Sequence, residues 1–162
     1  MQHAPIKTLV LTPQQRADLL ERSAWSLSFN PGDLMILVEF MKVCSGGPGT
    51  VLCKEGDTDS FLGILIDGTA TVLKSSSNGS QTVIGRLGKD KSFGEMSVLN
   101  REPRSATVVA ESEVRLIVLP RGEFDRLLET QPKLATKFLL KIARLLSQRL
   151  RETTGQLAEH LG

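Results

Sequence analysis

The chain has no tyrosine and only two histidines, His3 and His160, one near each end. No nucleophile–base–orienter set can be assembled from such material, so catalysis is not expected. Cysteine is equally scarce: Cys44 and Cys53 are the only two, with no CxxC and no histidine nearby. That pattern excludes a metal site and a disulfide framework, and reads as two half-buried thiols in a reducing compartment. Long apolar runs are missing too. No stretch approaches the roughly 20 apolar residues that span a bilayer, and the opening fifteen residues lack the apolar core of a signal peptide. No membrane span and a cytoplasmic location are expected. Net charge is +2 over 162 residues, too small to imply a polyanionic partner by itself.

Apolar residues in general are not scarce. They make up 40% of the chain against 23% charged, enough for one compact domain with terminal helices. Residues 1–43 read as an N-terminal helical segment. Thr12-Pro13 and Asn30-Pro31 are each an N-cap followed by proline at the first helical position. Leu34, Leu37, Val38 and Met41 then fall at helical spacing. The run Ser45-Gly46-Gly47-Pro48-Gly49 ends that zone.

Residues 44–119 read as antiparallel β. Strands are expected at 50–54, 61–66, 69–73, 82–87, 106–110 and 114–119, with turns at Glu55-Gly56-Asp57, Asp67-Gly68 and Asn78-Gly79. Short strands at regular spacing with glycine turns suggest a barrel or jelly roll of about eight strands. Residues 120–162 are helical again: a short helix over Glu123–Leu128, then a long one from Pro132 to about Thr153. The fold class is therefore α+β, a barrel with N-terminal helices and a C-terminal lid helix.

One segment, Phe93 to Arg104, neither alternates nor forms a two-residue turn. Gly94 permits a backbone close to a ligand. A short helical turn after it presents unpaired N–H groups that suit an anion. Arg104 offers a planar guanidinium that can fork onto a phosphate. Pro103 stiffens the approach, and small Ser105 and Ala106 let a ligand sit close. On the residues alone two readings stand. One is a structural Glu95–Arg104 ion pair in a loop. The other is a site for a ligand with hydroxyls at one end and an anion at the other.

The stretch Phe93-Gly94-Glu95 followed by Pro103-Arg104-Ser105-Ala106-Thr107-Val108 resembles the phosphate-binding cassette of the cyclic-nucleotide-binding domain family. Gly85-Arg86-Leu87-Gly88 resembles its kinase-regulatory branch. Gly49, Glu55-Gly56-Asp57 and Gly68 stand at family turn positions, and Phe124 precedes Pro132 as in the family's C-terminal helices. The resemblance covers about residues 40–153. It implies a cassette over 93–107 in which Glu95 accepts from the ribose 2′-hydroxyl and Arg104 pairs with the cyclic phosphate. Phe93, Gly94, Met96, Ser97, Ser105 and Ala106 would complete the cradle. In the family, serine or threonine after the arginine can help guanine bind, and alanine there goes with adenine. Ser105 is intermediate, and the regulatory ligand is expected to be cAMP in preference to cGMP.

On a helical wheel from Pro132, Lys133, Lys137, Lys141, Arg144, Gln148 and Arg151 form a polar stripe. Leu134, Phe138, Leu139, Ile142, Leu145, Leu146 and Leu150 form the other side, with Arg149 among them. A cation there needs a partner or a way out to water. By the resemblance, Arg149 is the candidate lid over the base; by itself, it also reads as snorkelling or pairing with an acid on the barrel. Leu139, Ile142, Leu146, Leu150 and Thr153 are spaced for a homodimer seam. The function expected is a regulatory module that signals to an unidentified effector protein by moving its C-terminal helix. Direct DNA binding is not expected, because the chain stops at Gly162 with no helix-turn-helix after the long helix. A ligand-blind interaction domain, or the sensor piece of a larger transcription factor or other effector, is the alternative.

Overall fold

The computed structural model describes residues 5–162, so His3 lies outside the described residues. Both N-caps form as full capping boxes. Thr12 pairs with Gln15 at the head of α1 (Pro13–Glu21), and Asn30 with Asp33 at the head of α2 (Pro31–Leu37). Each box satisfies two N–H groups that have no helical partner. The helical spacing that ran on to Met41 gives way at Val38 to a single 3₁₀ turn, Val38–Phe40.

Two strands outside the expected set join the sheets here: β1 (Lys7–Leu9) and β2 (Lys42–Gly46). β2 takes the place of the expected helix end and part of the glycine run. Val43 and Cys44 are both buried although they point to opposite faces. A strand covered on both sides shows no alternation, so period-two reading misses it. β3 (Val51–Cys53), β4 (Phe61–Asp67), β5 (Ala70–Ser75) and β6 (Gln81–Leu87) follow. Then come β7 (Ser92–Phe93), α3 (Glu95–Asn100), β8 (Thr107–Ala110) and β9 (Val114–Pro120). The strands form a five-stranded sheet, β1-β2-β9-β4-β7, and a four-stranded sheet, β3-β8-β5-β6. Every pairing is antiparallel. The α+β roll expected from the sequence is the fold observed.

Pro120 ends β9 and caps α4 (Arg121–Thr130), and α5 runs from Pro132 to Leu161. That is two turns beyond the expected end near Thr153. The added turns hold good helix formers, Gln156, Leu157, Ala158 and Glu159, but bury nothing. The amphipathic signal therefore fades before the helix does. The first half of α5 is fixed by Phe138. Its ring lies 5.5 Å from Trp25, 6.3 Å from Phe29 and 6.4 Å from Phe124, centroid to centroid. Leu134, Ala135 and Ile142 are buried beside it. Each large apolar side chain buried there contributes about 1.5–3 kcal/mol, so this half is clamped between the N-terminal segment and α4. A second apolar cluster, including Leu52, Leu65, Phe93, Val108 and Leu116, fills the roll itself.

Candidate functional site

The cassette hangs from β7. Phe93 stands opposite Gly63 of β4, and a Cβ on Gly63 would lie 2.6 Å from the Phe93 ring, so the ring occupies the space glycine leaves. Phe93 packs edge-on against Phe61 with centroids 5.9 Å apart. The chain then turns through Gly94, whose φ of +86° lies in the left-handed region. A Cβ there would collide with the Phe61 carbonyl and with Arg104 Nη1. Glycine is needed for both reasons.

Arg104 is placed by the Glu55-Gly56-Asp57 turn. Its N–H donates to the Asp57 carbonyl at 2.9 Å, and its own carbonyl accepts from the Gly56 N–H at 2.9 Å. The side chain is 3% exposed and lies 4.4 Å over the Phe61 ring. Nη1 donates to the Phe61 carbonyl at 2.8 Å and to Ser97 Oγ at 3.0 Å. Nε and Nη2 are buried with no hydrogen-bond partner. Asp59 Oδ1 is 3.8 Å from Nε, an ion-pair distance but too long for a hydrogen bond. A buried guanidinium short of acceptors is costly and presents N–H groups suited to an anion.

Glu95 does not pair with Arg104. It is 5% exposed, and its Oε1 accepts from Ser92 Oγ at 2.5 Å and from Arg149 Nη1 at 2.9 Å. Arg149 Nη2 also donates to the Ser92 carbonyl at 2.6 Å and to Ser92 Oγ at 3.1 Å. Of the two roles read for Arg149, the structure displays the ion pair with an acid on the roll. The Glu95–Arg104 ion pair, one of the two readings of the bare residues, is absent.

A cavity of about 300 Å³ runs between these groups, and every residue named for the site lines it: Phe93 to Ser97, Arg104 to Ala106, and Arg149. Its size and mixed lining suit a small organic ligand. Met96 stands half out at the rim. Ser105 is exposed, and its carbonyl accepts from Lys74 Nζ at 2.5 Å. Six further apolar residues, not singled out from the sequence for the site, complete the wall together with Ser92: Cys53, Val72, Ile84, Leu87, Val108 and Leu146. Burial pushes the Cys53 thiol up, outweighing the pull of nearby Arg104, so this wall is neutral and apolar. Phe61 and Ser92 were also missed. Leu146 carried a usable signal, since it sits three residues before Arg149 on the same helical face. Ser92 carried none, because its role depends on where α5 crosses the roll.

A closed antiparallel roll with a buried, under-paired arginine facing a carboxylate across one small cavity defines a binding module for a small anionic ligand. Residues 45–131, more than half of the chain, match the cyclic nucleotide-binding domain model, and the chain belongs to that family. Its fold is similar to a cyclic nucleotide-binding domain from Methylobacillus flagellatus, with a TM-score of 0.82 and 26% identity over 93% of this chain and 86% of that one. The catabolite activator protein of Thermus thermophilus gives a TM-score of 0.68 and 26% identity over 80% and 59%. The regulatory domain of Toxoplasma gondii protein kinase A, crystallised with cAMP, gives 0.67 and 18% over 82% and 50%, a likeness of fold alone. In sequence, the lysophospholipase nte1 of Neurospora crassa is 28% identical over 70% of this chain. The chain spans only 7% of that relative's length. Among the described residues no helix is long and apolar enough to cross a membrane.

Proposed function

We propose that the chain is a non-catalytic sensor that binds cAMP in preference to cGMP and signals through α5. One observation supports this above the others: Arg104 lines the cavity, is buried and fixed by its backbone and by Ser97, and has two guanidinium nitrogens, Nε and Nη2, without a hydrogen-bond partner. A cyclic phosphate supplies the acceptors these groups lack. A charge-assisted bond of that kind contributes about 1.5–3 kcal/mol net. The base lies against Val72, Ile84 and Leu87, where burial adds the rest. Ser105 is compatible with either base, and the preference for adenine rests on the family resemblance, in which serine at that position also occurs in cAMP binders.

Signalling follows from Arg149. Its guanidinium is paired with Glu95, the acceptor proposed for the ribose hydroxyl. A ribose that takes Glu95 displaces Arg149, and α5 loses its polar tie to the roll. A ligand shifts such an equilibrium only by its differential affinity for the two states; exchange at Glu95 is that difference.

The outer half of α5 gives this movement an output. Of the residues first read as a dimer seam, Ile142 is buried in the body and Leu139 and Leu146 pack against it. Leu140, Leu150, Leu157 and Leu161 are exposed instead, with Ala143, Ser147 and Thr154 between them at alternating steps of three and four. That is a heptad stripe, which suits pairing with the same helix of a second copy. The deciding experiment is calorimetry with cAMP, cGMP and a cyclic dinucleotide. Binding of cAMP, tighter than the other two, is expected; no binding of any of them leaves a ligand-blind domain.

A further inference from the structure

On the opposite side of Arg149 lies a second cavity of about 300 Å³. Its floor is Ala24 and Trp25, one wall is the turn from Lys89 to Ser92, and the other is α5 from Lys141 to Glu152. The turn is locked onto β4. The Asp90 N–H donates to the Leu65 carbonyl at 2.8 Å, and the Leu65 N–H donates to the Lys91 carbonyl at 2.9 Å. Trp25 Nε1 donates to the Asp90 carbonyl at 3.2 Å. The opposing wall is held by Phe138 against the same tryptophan. Both walls are therefore fixed before any ligand arrives.

Four cations border this cavity, Lys89, Lys91, Lys141 and Arg149, against two acids, Asp90 and Glu152. Glu152 already accepts from Gln148 Nε2 at 3.0 Å. Among the described residues Lys89, Lys91 and Lys141 make no ion pair; Lys141 Nζ instead lies 5.9 Å over the Trp25 ring. Three lysines without an ion-pair partner against two acids, with Arg149 paired to Glu95, leave the concavity a positive balance. A ligand with several acceptor oxygens and more than one negative charge can answer several of them at once. A carboxylate, with two oxygens and one charge, answers fewer.

We propose that this basin is a second binding site, for a phosphate-class anion, and that its occupant competes with Glu95 for Arg149. Arg149 and Ser92 line both cavities, so an anion in the basin draws the guanidinium off Glu95 and leaves that carboxylate free for a ribose hydroxyl. Occupancy of the basin then strengthens cyclic-nucleotide binding. This coupling rests on the ligand site proposed above; the basin itself does not.

Trp25 is the only tryptophan and there is no tyrosine, so intrinsic fluorescence reports directly on the basin floor. The whole chain is titrated with inorganic pyrophosphate at ionic strength held constant with potassium chloride. The expected result is a saturable change, with Lys91→Ala and Lys141→Ala each raising the dissociation constant at least about tenfold. Lys133→Ala on the same helix leaves it within about twofold. A drift without saturation, or a constant unmoved by both basin variants, overturns the site. So does binding confined to phosphatidic acid vesicles with no saturation by free pyrophosphate, which marks diffuse attraction to a charged surface. The second measurement is the cAMP dissociation constant with and without saturating pyrophosphate. A several-fold fall is expected, and an unchanged value overturns the competition. If cAMP does not bind at all, the ligand reading fails while the fluorescence titration still decides the basin.

Discussion

The two ends of the cassette are buried alike, with Glu95 5% and Arg104 3% exposed, yet they are left in opposite states. At the Glu95 end the carboxylate is met by Ser92 and Arg149. At the Arg104 end two N–H groups have no partner. Arg104 is held by residues of the roll alone: the Gly56-Asp57 turn, Phe61 and Ser97. Glu95 is matched by Ser92 of the roll and by Arg149 of α5, so its partners come from two separate elements. In the proposed reading, Arg104 meets the phosphate as it stands, while the ribose hydroxyl has to displace Arg149 from Glu95.

Removing the Arg104 end is expected to have the largest effect. Arg104→Ala should weaken cAMP binding by at least about tenfold, since about 1.4 kcal/mol is one decade, and calorimetry reads it directly. Binding equal to the parent would mean that the phosphate sits elsewhere. Gly94→Ala should damage both ends, because it forces a Cβ into the Phe61 carbonyl and Arg104 at a left-handed φ. A loss of about 1–3 kcal/mol in stability should appear as a lowered melting temperature together with weakened binding.

Arg149→Ala tests the Glu95 end and should act in the opposite direction. It leaves Glu95 a buried carboxylate with one partner fewer, which costs the free protein stability. A ribose hydroxyl then meets no competitor, so cAMP should bind several-fold tighter while 2′-deoxy-cAMP gains nothing. Equal gains for both ligands would show that Arg149 acts on something other than Glu95.

The smallest expected effect lies away from the cassette. Asp33 of α2 accepts from Lys137 of α5 at 2.8 Å, and that hydrogen bond leads the causes that hold its carboxyl below the usual range. Because the folded value is depressed, this pair's contribution is complete above the ordinary carboxylate range and is lost as pH falls through the folded value. A surface pair contributes under about 1 kcal/mol. Lys137→Ala should therefore lower the melting temperature slightly at pH 7 and leave it unchanged in strong acid, with cAMP affinity unaffected at either end of the cassette.

The roll, its flanking helices and the cassette were legible because each has a local cause. The N-caps at Thr12 and Asn30, each followed by proline, are two-residue patterns. β4 and β9 are apolar runs bounded by turns, and Gly94, Glu95 and Arg104 occur in one continuous segment. β2 was not legible, since burial on both faces erases the alternation that marks a strand. β7 is two residues long and exists only through its pairing with Gly63 and Ile64. The last turns of α5 were missed because a helix that buries nothing there has no apolar period to read. By itself the sequence determined which residues would gather at one cavity, because Phe93 to Ser97 and Arg104 to Ala106 lie in one continuous segment that opens on a left-handed glycine. Only the tertiary structure decided that Arg149, fifty-four residues from Glu95, would be the group that covers it. Ion pairs between distant elements depend on how a helix crosses a roll, and that crossing is set by Phe138 packing among Trp25, Phe29 and Phe124, not by any spacing along the chain.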